Sequence, residues 1–158
     1  MTRRSLFQWL FFSACAPGVV AADEGAPTIT PLVLSDAQWK QRLSPEQYQV
    51  LRKHGTERAG TSALNAEKRR GRFVCAGCDL PLFASDAKYE SGTGWPSFFA
   101  PLPGALGTST DFKLIYPRTE YHCARCSGHH GHVFNDGPAP TGKRYCNNGV
   151  ALKFEVAT

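Results

Sequence analysis

From Leu34 onward the apolar positions first follow a helical period and then an alternating one, and the change falls near His54. Leu34-Ser35-Asp36-Ala37-Gln38-Trp39 predicts a short helix opened by Ser35. Leu43-Ser44-Pro45-Glu46-Gln47-Tyr48 predicts a second. Ser44 is its N-cap, Pro45 its first helical residue, Gln47 closes a capping box, and Leu43 is a staple toward Tyr48. Leu51 shares the face of Tyr48, and Gly55 marks the end. Farther on, Arg72-Phe73-Val74, Phe112-Lys113-Leu114-Ile115-Tyr116, Gly131-His132-Val133-Phe134 and Val150-Ala151-Leu152-Lys153-Phe154 read as short strands between turn residues. The pattern predicts a helical pair on a mainly β (α+β) body.

Residues 1–22 stand apart from that body. Thr2-Arg3-Arg4 is a basic start, Leu6 to Phe12 is an apolar run broken only by Gln8, and Val20-Ala21-Ala22 offers small residues for cleavage before Asp23. These are the parts of an export signal. Pro17-Gly18 interrupts the run well short of the ~20 apolar residues that a membrane anchor needs. Thr2-Arg3-Arg4-Ser5-Leu6-Phe7 resembles a twin-arginine signal, which predicts a bacterial periplasmic protein. The alternative is a lipoprotein anchored at Cys15, for which Phe12 is a poor match. A polar linker over 23–33 then leads into one domain, 34–158.

Composition changes this picture little. The 158 residues are 42% hydrophobic and 20% charged, enough for one core. The 15 Gly and 11 Pro fit many turns. The net charge of +5 falls to +3 without Arg3 and Arg4, and a four-thiolate zinc cluster would bring it to about +1. No basic stripe remains to support a zinc-ribbon nucleic-acid binder.

Cys75-Ala76-Gly77-Cys78 and Cys123-Ala124-Arg125-Cys126 are two C-x-x-C pairs, each near the end of a predicted strand. Together they supply four sulfurs for a tetrahedral metal, read as one structural zinc ion. Two disulfides, or iron on the same ligands, are the alternatives. Cys146 is left over, flanked by Lys143, Arg144 and Tyr145 before it and Asn147 and Asn148 after it. A lone cysteine is usually a small core residue, but this polar, basic setting favours a reactive thiolate.

Three further segments carry a resemblance: Ser91-Gly92-Thr93-Gly94-Trp95-Pro96-Ser97-Phe98, His129-His130-Gly131-His132-Val133-Phe134-Asn135-Asp136-Gly137-Pro138 and Pro140-Thr141-Gly142-Lys143-Arg144-Tyr145-Cys146-Asn147-Asn148. With both cysteine pairs, the chain from about Leu43 to Phe154 resembles the methionine-R-sulfoxide reductases of the B type. The resemblance implies antiparallel sheets with N-terminal helices, a structural zinc on Cys75, Cys78, Cys123 and Cys126, and reduction of protein-bound methionine-R-sulfoxide. It implies catalytic roles for Cys146, His129, His132, Asn148, Arg144 and Asp136, with Trp95 and Phe134 binding substrate. The partners it implies are oxidised proteins or peptides and an external thiol or thioredoxin-like reductant, with no nucleic acid, the enzyme itself being a monomer.

That chemistry suits these residue types. A thiolate must attack the sulfoxide sulfur while the oxygen gains protons, and histidine is the side chain suited to supply them near neutrality. Trp95 would offer an apolar face to the substrate's methyl group and Asn148 a hydrogen bond in the site. His130, where the family more often has Leu, is expected to face solvent. Two positions depart from the family: Thr93 stands where many members have a recycling cysteine, and Gly149 where Ser is common.

Overall fold

The structure is a computed structural model that describes residues 28–157; the expected export signal, Cys15 and the start of the expected linker lie outside them. Residues 28–35 run without helix or strand, and Ile29, Leu32 and Leu34 pack against the core. Helices α1 (Asp36–Arg42) and α2 (Pro45–Lys53) follow, each with a complete capping box, Ser35 with Gln38 and Ser44 with Gln47. These local hydrogen bonds satisfy donors at both helix starts, which is why the short helices form where the sequence places them. The second helix closes one residue earlier than expected. His54, not Gly55, is the left-handed C-cap, at φ 54°.

Among the described residues nine strands form two antiparallel sheets. They are β1 (Gly71–Cys75), β2 (Pro81–Ala84), β3 (Lys88–Tyr89), β4 (Ser97–Phe98), β5 (Leu106–Asp111), β6 (Arg118–Cys123), β7 (His129–Phe134), β8 (Arg144–Asn147) and β9 (Leu152–Val156). The smaller sheet runs β2-β1-β9 and the larger β3-β4-β8-β7-β6-β5. Phe73 and Phe83 from the first meet Phe98 and Tyr121 from the second, with Phe83 stacked on Phe98 at 4.1 Å between ring centroids. All four rings are fully buried, so this contact is the apolar seam that holds the sheets together.

One expected strand is absent. Phe112 to Tyr116 form the connection between β5 and β6, and Phe112, Leu114, Ile115 and Tyr116 are exposed. Their alternation has no apolar surface to face, and strand propensity without such a partner does not make a strand. Among the described residues no helix is long and apolar enough to cross a membrane.

Candidate active site

The register of the larger sheet assembles the site. Ser97 on β4 lies opposite Cys146 on β8, Cys146 opposite His132 on β7, His132 opposite Glu120 on β6, and Glu120 opposite Ser109 on β5. Residues opposite one another share a face, so five strands contribute one polar row. Two residues along each strand, Arg144 pairs with Phe134 on that same face, and its guanidinium lies 4.3 Å from the Phe134 ring. The neighbouring rows, with Tyr121 and Phe98, point into the core. Gly131 allows β7 this close to β8, because a Cβ there would collide with the Cys146 carbonyl.

Cys146, His132, Trp95, Phe134 and Asn148 line one cavity of about 140 Å³, together with Thr56, Arg118, Gly131 and Asn147. A larger apolar hollow beside α2 has neither cysteine nor histidine in its wall, so size does not mark the chemistry. Trp95 donates from its indole N–H to the Glu57 carbonyl at 3.2 Å, which sets the ring's orientation. Burial pushes the Cys146 thiol above its ordinary range; the Arg144 charge and the Thr93 hydroxyl pull the other way, and Asp136 weakens Arg144's effect. The basic neighbours expected to make it a resting thiolate are therefore outweighed by desolvation.

Other residues take supporting positions. Asp136 is outside this cavity and binds Arg144 through two 2.8 Å hydrogen bonds, so it positions the guanidinium. Asn148 spends both ends of its amide on the backbone, accepting from Glu57 N–H at 2.9 Å and donating to the His130 carbonyl at 2.9 Å. These two bonds fix the amide in the wall of the cavity, with one N–H of its NH2 group still to spare. The Glu57 carboxylate accepts from the N–H groups of Gly149 and Val150, tying the loop after α2 to the turn that follows β8.

His129 lies in an adjoining cavity that shares His132 and Arg118 with the first. Its ring meets His132 edge-on at 5.5 Å, and its Nδ1 is 2.8 Å from Glu120 Oε1. Burial works to raise the Glu120 pKa, but hydrogen bonds from His129, Ser109 and His122 outweigh it and hold the carboxyl at about 2. His132 Nε2 is 2.7 Å from Asp111 Oδ2; burial lowers this histidine's pKa and Asp111 partly restores it. Glu120, Asp111 and Arg118 were missed from the sequence. Only the pairing register, which the sequence does not display, brings them to the histidines.

The four paired cysteines form a second, closed centre. Cys75 and Cys126 sulfurs are 3.6 Å apart, and those of Cys78 and Cys123 3.5 Å. A disulfide requires about 2.05 Å, and all four are free thiols here. Tetrahedral zinc bonds of about 2.3 Å imply sulfurs about 3.8 Å apart, which this set fits. Asp79 and Ser127, each just after the second cysteine of a pair, adopt positive φ, so the two turns repeat one geometry. Arg42, Arg52 and Arg125 donate to the carbonyls of Gly77, Cys126 and Cys78, which places positive charge around the four sulfurs.

His130 corrects the expectation that it faces solvent. It is fully buried, with Nε2 3.4 Å from the Cys75 sulfur, and burial lowers its pKa to about 3. A neutral ring can donate its Nε2–H to a metal-bound thiolate, a role that Leu could not fill.

The SelR domain, as a family, matches residues 43–156. The chain belongs to the SelR domain family. It is 53% identical over 122 residues to the peptide methionine sulfoxide reductase MsrB of Leptospira interrogans, covering 77% of this chain and 93% of that one. The enzyme of the same name from Agrobacterium fabrum is 52% identical over 77% of this chain and 90% of its own. That from Pseudomonas putida is 53% identical over 75% and 90%. The SelR match takes in both cysteine pairs, Trp95, the two histidines and Cys146, and starts at Leu43.

Proposed function

We propose that this SelR protein reduces peptide-bound methionine-R-sulfoxide to methionine, with Cys146 as nucleophile and a zinc ion held by Cys75, Cys78, Cys123 and Cys126 for structure alone. The observation that carries the reading is the single row Ser97–Cys146–His132–Glu120 at a cavity walled by Trp95 and Phe134. A thioether methyl fits the apolar wall, and a sulfoxide oxygen would meet the histidine side. Cys146 attacks the sulfoxide sulfur as thiolate, Arg144 stabilising its charge, while His132 and His129 supply protons to the oxygen. One oxygen passes from the substrate to Cys146, leaving methionine and a cysteine sulfenic acid. An export signal over 1–22 would deliver the domain, 34–158, to the periplasm.

The histidines give a first expected result. His129→Asn or His132→Asn should lower kcat by about 10²-fold or more with a smaller change in KM, and shift the acid limb of the pH profile. Unchanged profiles in both variants would return the histidines to a structural role.

Recycling gives a second. Thr93 interacts with the Cys146 thiol, and its hydroxyl is 2.8 Å from Ser91 Oγ, itself 2.7 Å from Ser97 Oγ. No spare thiol stands among the described residues, since the other four cysteines form the closed centre. An external thiol therefore attacks the sulfenic acid, releasing water and forming a mixed disulfide that a second thiol resolves. Protein treated with substrate and no reductant should yield one methionine per enzyme and a dimedone-reactive Cys146, with zinc retained. Thr93→Cys should convert that product to an intramolecular disulfide. Zinc release with loss of two hydrogens in the parent protein would mean that Cys146 had paired with a metal ligand.

A further inference from the structure

Four of the five histidines, with Glu120 and Asp111, crowd one end of β5–β7, and the proposed reaction uses only part of this cluster. Glu120 is its centre. It is nearly fully buried, and its two oxygens serve different partners. Oε2 is held by Ser109 Oγ at 2.6 Å and His122 Nδ1 at 3.2 Å. Oε1 is 2.8 Å from His129 Nδ1 and 3.9 Å from His54 Nδ1, the latter too long for a hydrogen bond. His54 comes from the left-handed cap of α2, and its ring packs 5.0 Å from that of His129. One donor atom from each of His54, Glu120 and His129 thus lies within 4.8 Å of the other two.

We propose that His54, Glu120 and His129 are a second metal site, which takes a divalent first-row transition ion from solution and withdraws His129 from catalysis. Two imidazoles and one carboxylate oxygen are the donor set that such ions prefer over Mg²⁺ or Ca²⁺. Bonds of about 2.0–2.2 Å place neighbouring ligands about 3.0–3.5 Å apart, so His54 must close by roughly an ångström. It is half-exposed at a helix end and free to do so, while Ser109 and His122 keep Oε1 aimed at the centre. The three residues line one side of a cavity of about 420 Å³, which gives an ion its route and leaves coordination positions for water. Binding occupies His129 Nδ1, so the ring can no longer take up and pass on a proton through that nitrogen. Only this inhibitory consequence rests on the function proposed above.

The test uses the whole protein with its four-cysteine site filled by zinc, and Co²⁺ as the probe. One further equivalent should bind, with visible ligand-field bands and no thiolate charge-transfer band. It should persist in Cys146→Ser and vanish in His54→Gly, a change that suits the positive φ at this position. Methionine formed in a single turnover, without any chelating thiol, should fall in step with occupancy in the parent and be insensitive to Co²⁺ in His54→Gly. No further equivalent, one lost in Cys146→Ser, or one retained in His54→Gly would overturn the site. Full occupancy with unchanged turnover would overturn the inhibition and leave the function proposed for the row intact.

Discussion

Cys146→Ser is expected to reduce sulfoxide turnover to the assay background while leaving fold and metal content unchanged. The side chain is half-buried in the middle of the larger sheet, between Ser97 and His132, and serine differs from it by a single atom. Packing therefore survives, but a hydroxyl at neutral pH is a far weaker nucleophile toward sulfur than a thiolate. The free enzyme's own thiol is held up by burial, so its reaction with an alkylating reagent should quicken as pH rises through and beyond the ordinary cysteine range. Turnover by the serine variant near the parent's rate would show that another group performs the attack. Circular dichroism and zinc content on the same sample separate that outcome from misfolding.

Replacing Cys75, Cys78, Cys123 or Cys126 by Ser is expected to release zinc and unfold the domain or lower its Tm sharply. The four side chains are almost wholly buried and belong to the same core as Trp39, Leu51 and Tyr121. Metal binding at such a site is itself folding free energy, roughly 10 kcal/mol in small zinc domains, comparable with the whole stability of a domain this size. Loss of one ligand also strands the carbonyl contacts of Arg42, Arg52 and Arg125 around a site that no longer closes. Metal analysis and thermal unfolding of each variant check this. A parent protein that carries no metal, and whose only titratable thiol in the domain is Cys146, would mean two disulfides instead.

What the sequence displayed, it displayed locally. Ser44, Pro45 and Gln47 encode a helix start by hydrogen bonds within one turn, and the structure contains each of them. Two C-x-x-C pairs specify a four-sulfur centre because the spacing and the ligands are both local. Residues whose role depends on a distant strand were another matter. Glu120 reads as one acid in a polar stretch until β6 pairs with β7 and sets it beside His132. Phe112 to Tyr116 carry a strand's alternation but lie beyond the end of β5, with no sheet to join. His130 differs from its neighbours His129 and His132 only in which side of β7 it occupies, and that side faces the four cysteines. Asn148 was legible as a site residue, yet its amide is engaged by Glu57 and His130, 91 and 18 positions away.

The most direct test of the central claim is activity of the purified protein on the separate R and S epimers of one peptide-bound methionine sulfoxide, with dithiothreitol as reductant. On the proposed reading, Trp95 and Phe134 would receive the methyl and the histidines the oxygen, an arrangement that only one epimer at sulfur satisfies. The account predicts methionine from the R epimer and none above background from the S epimer. Equal rates on both, or reduction of the S epimer alone, would contradict it.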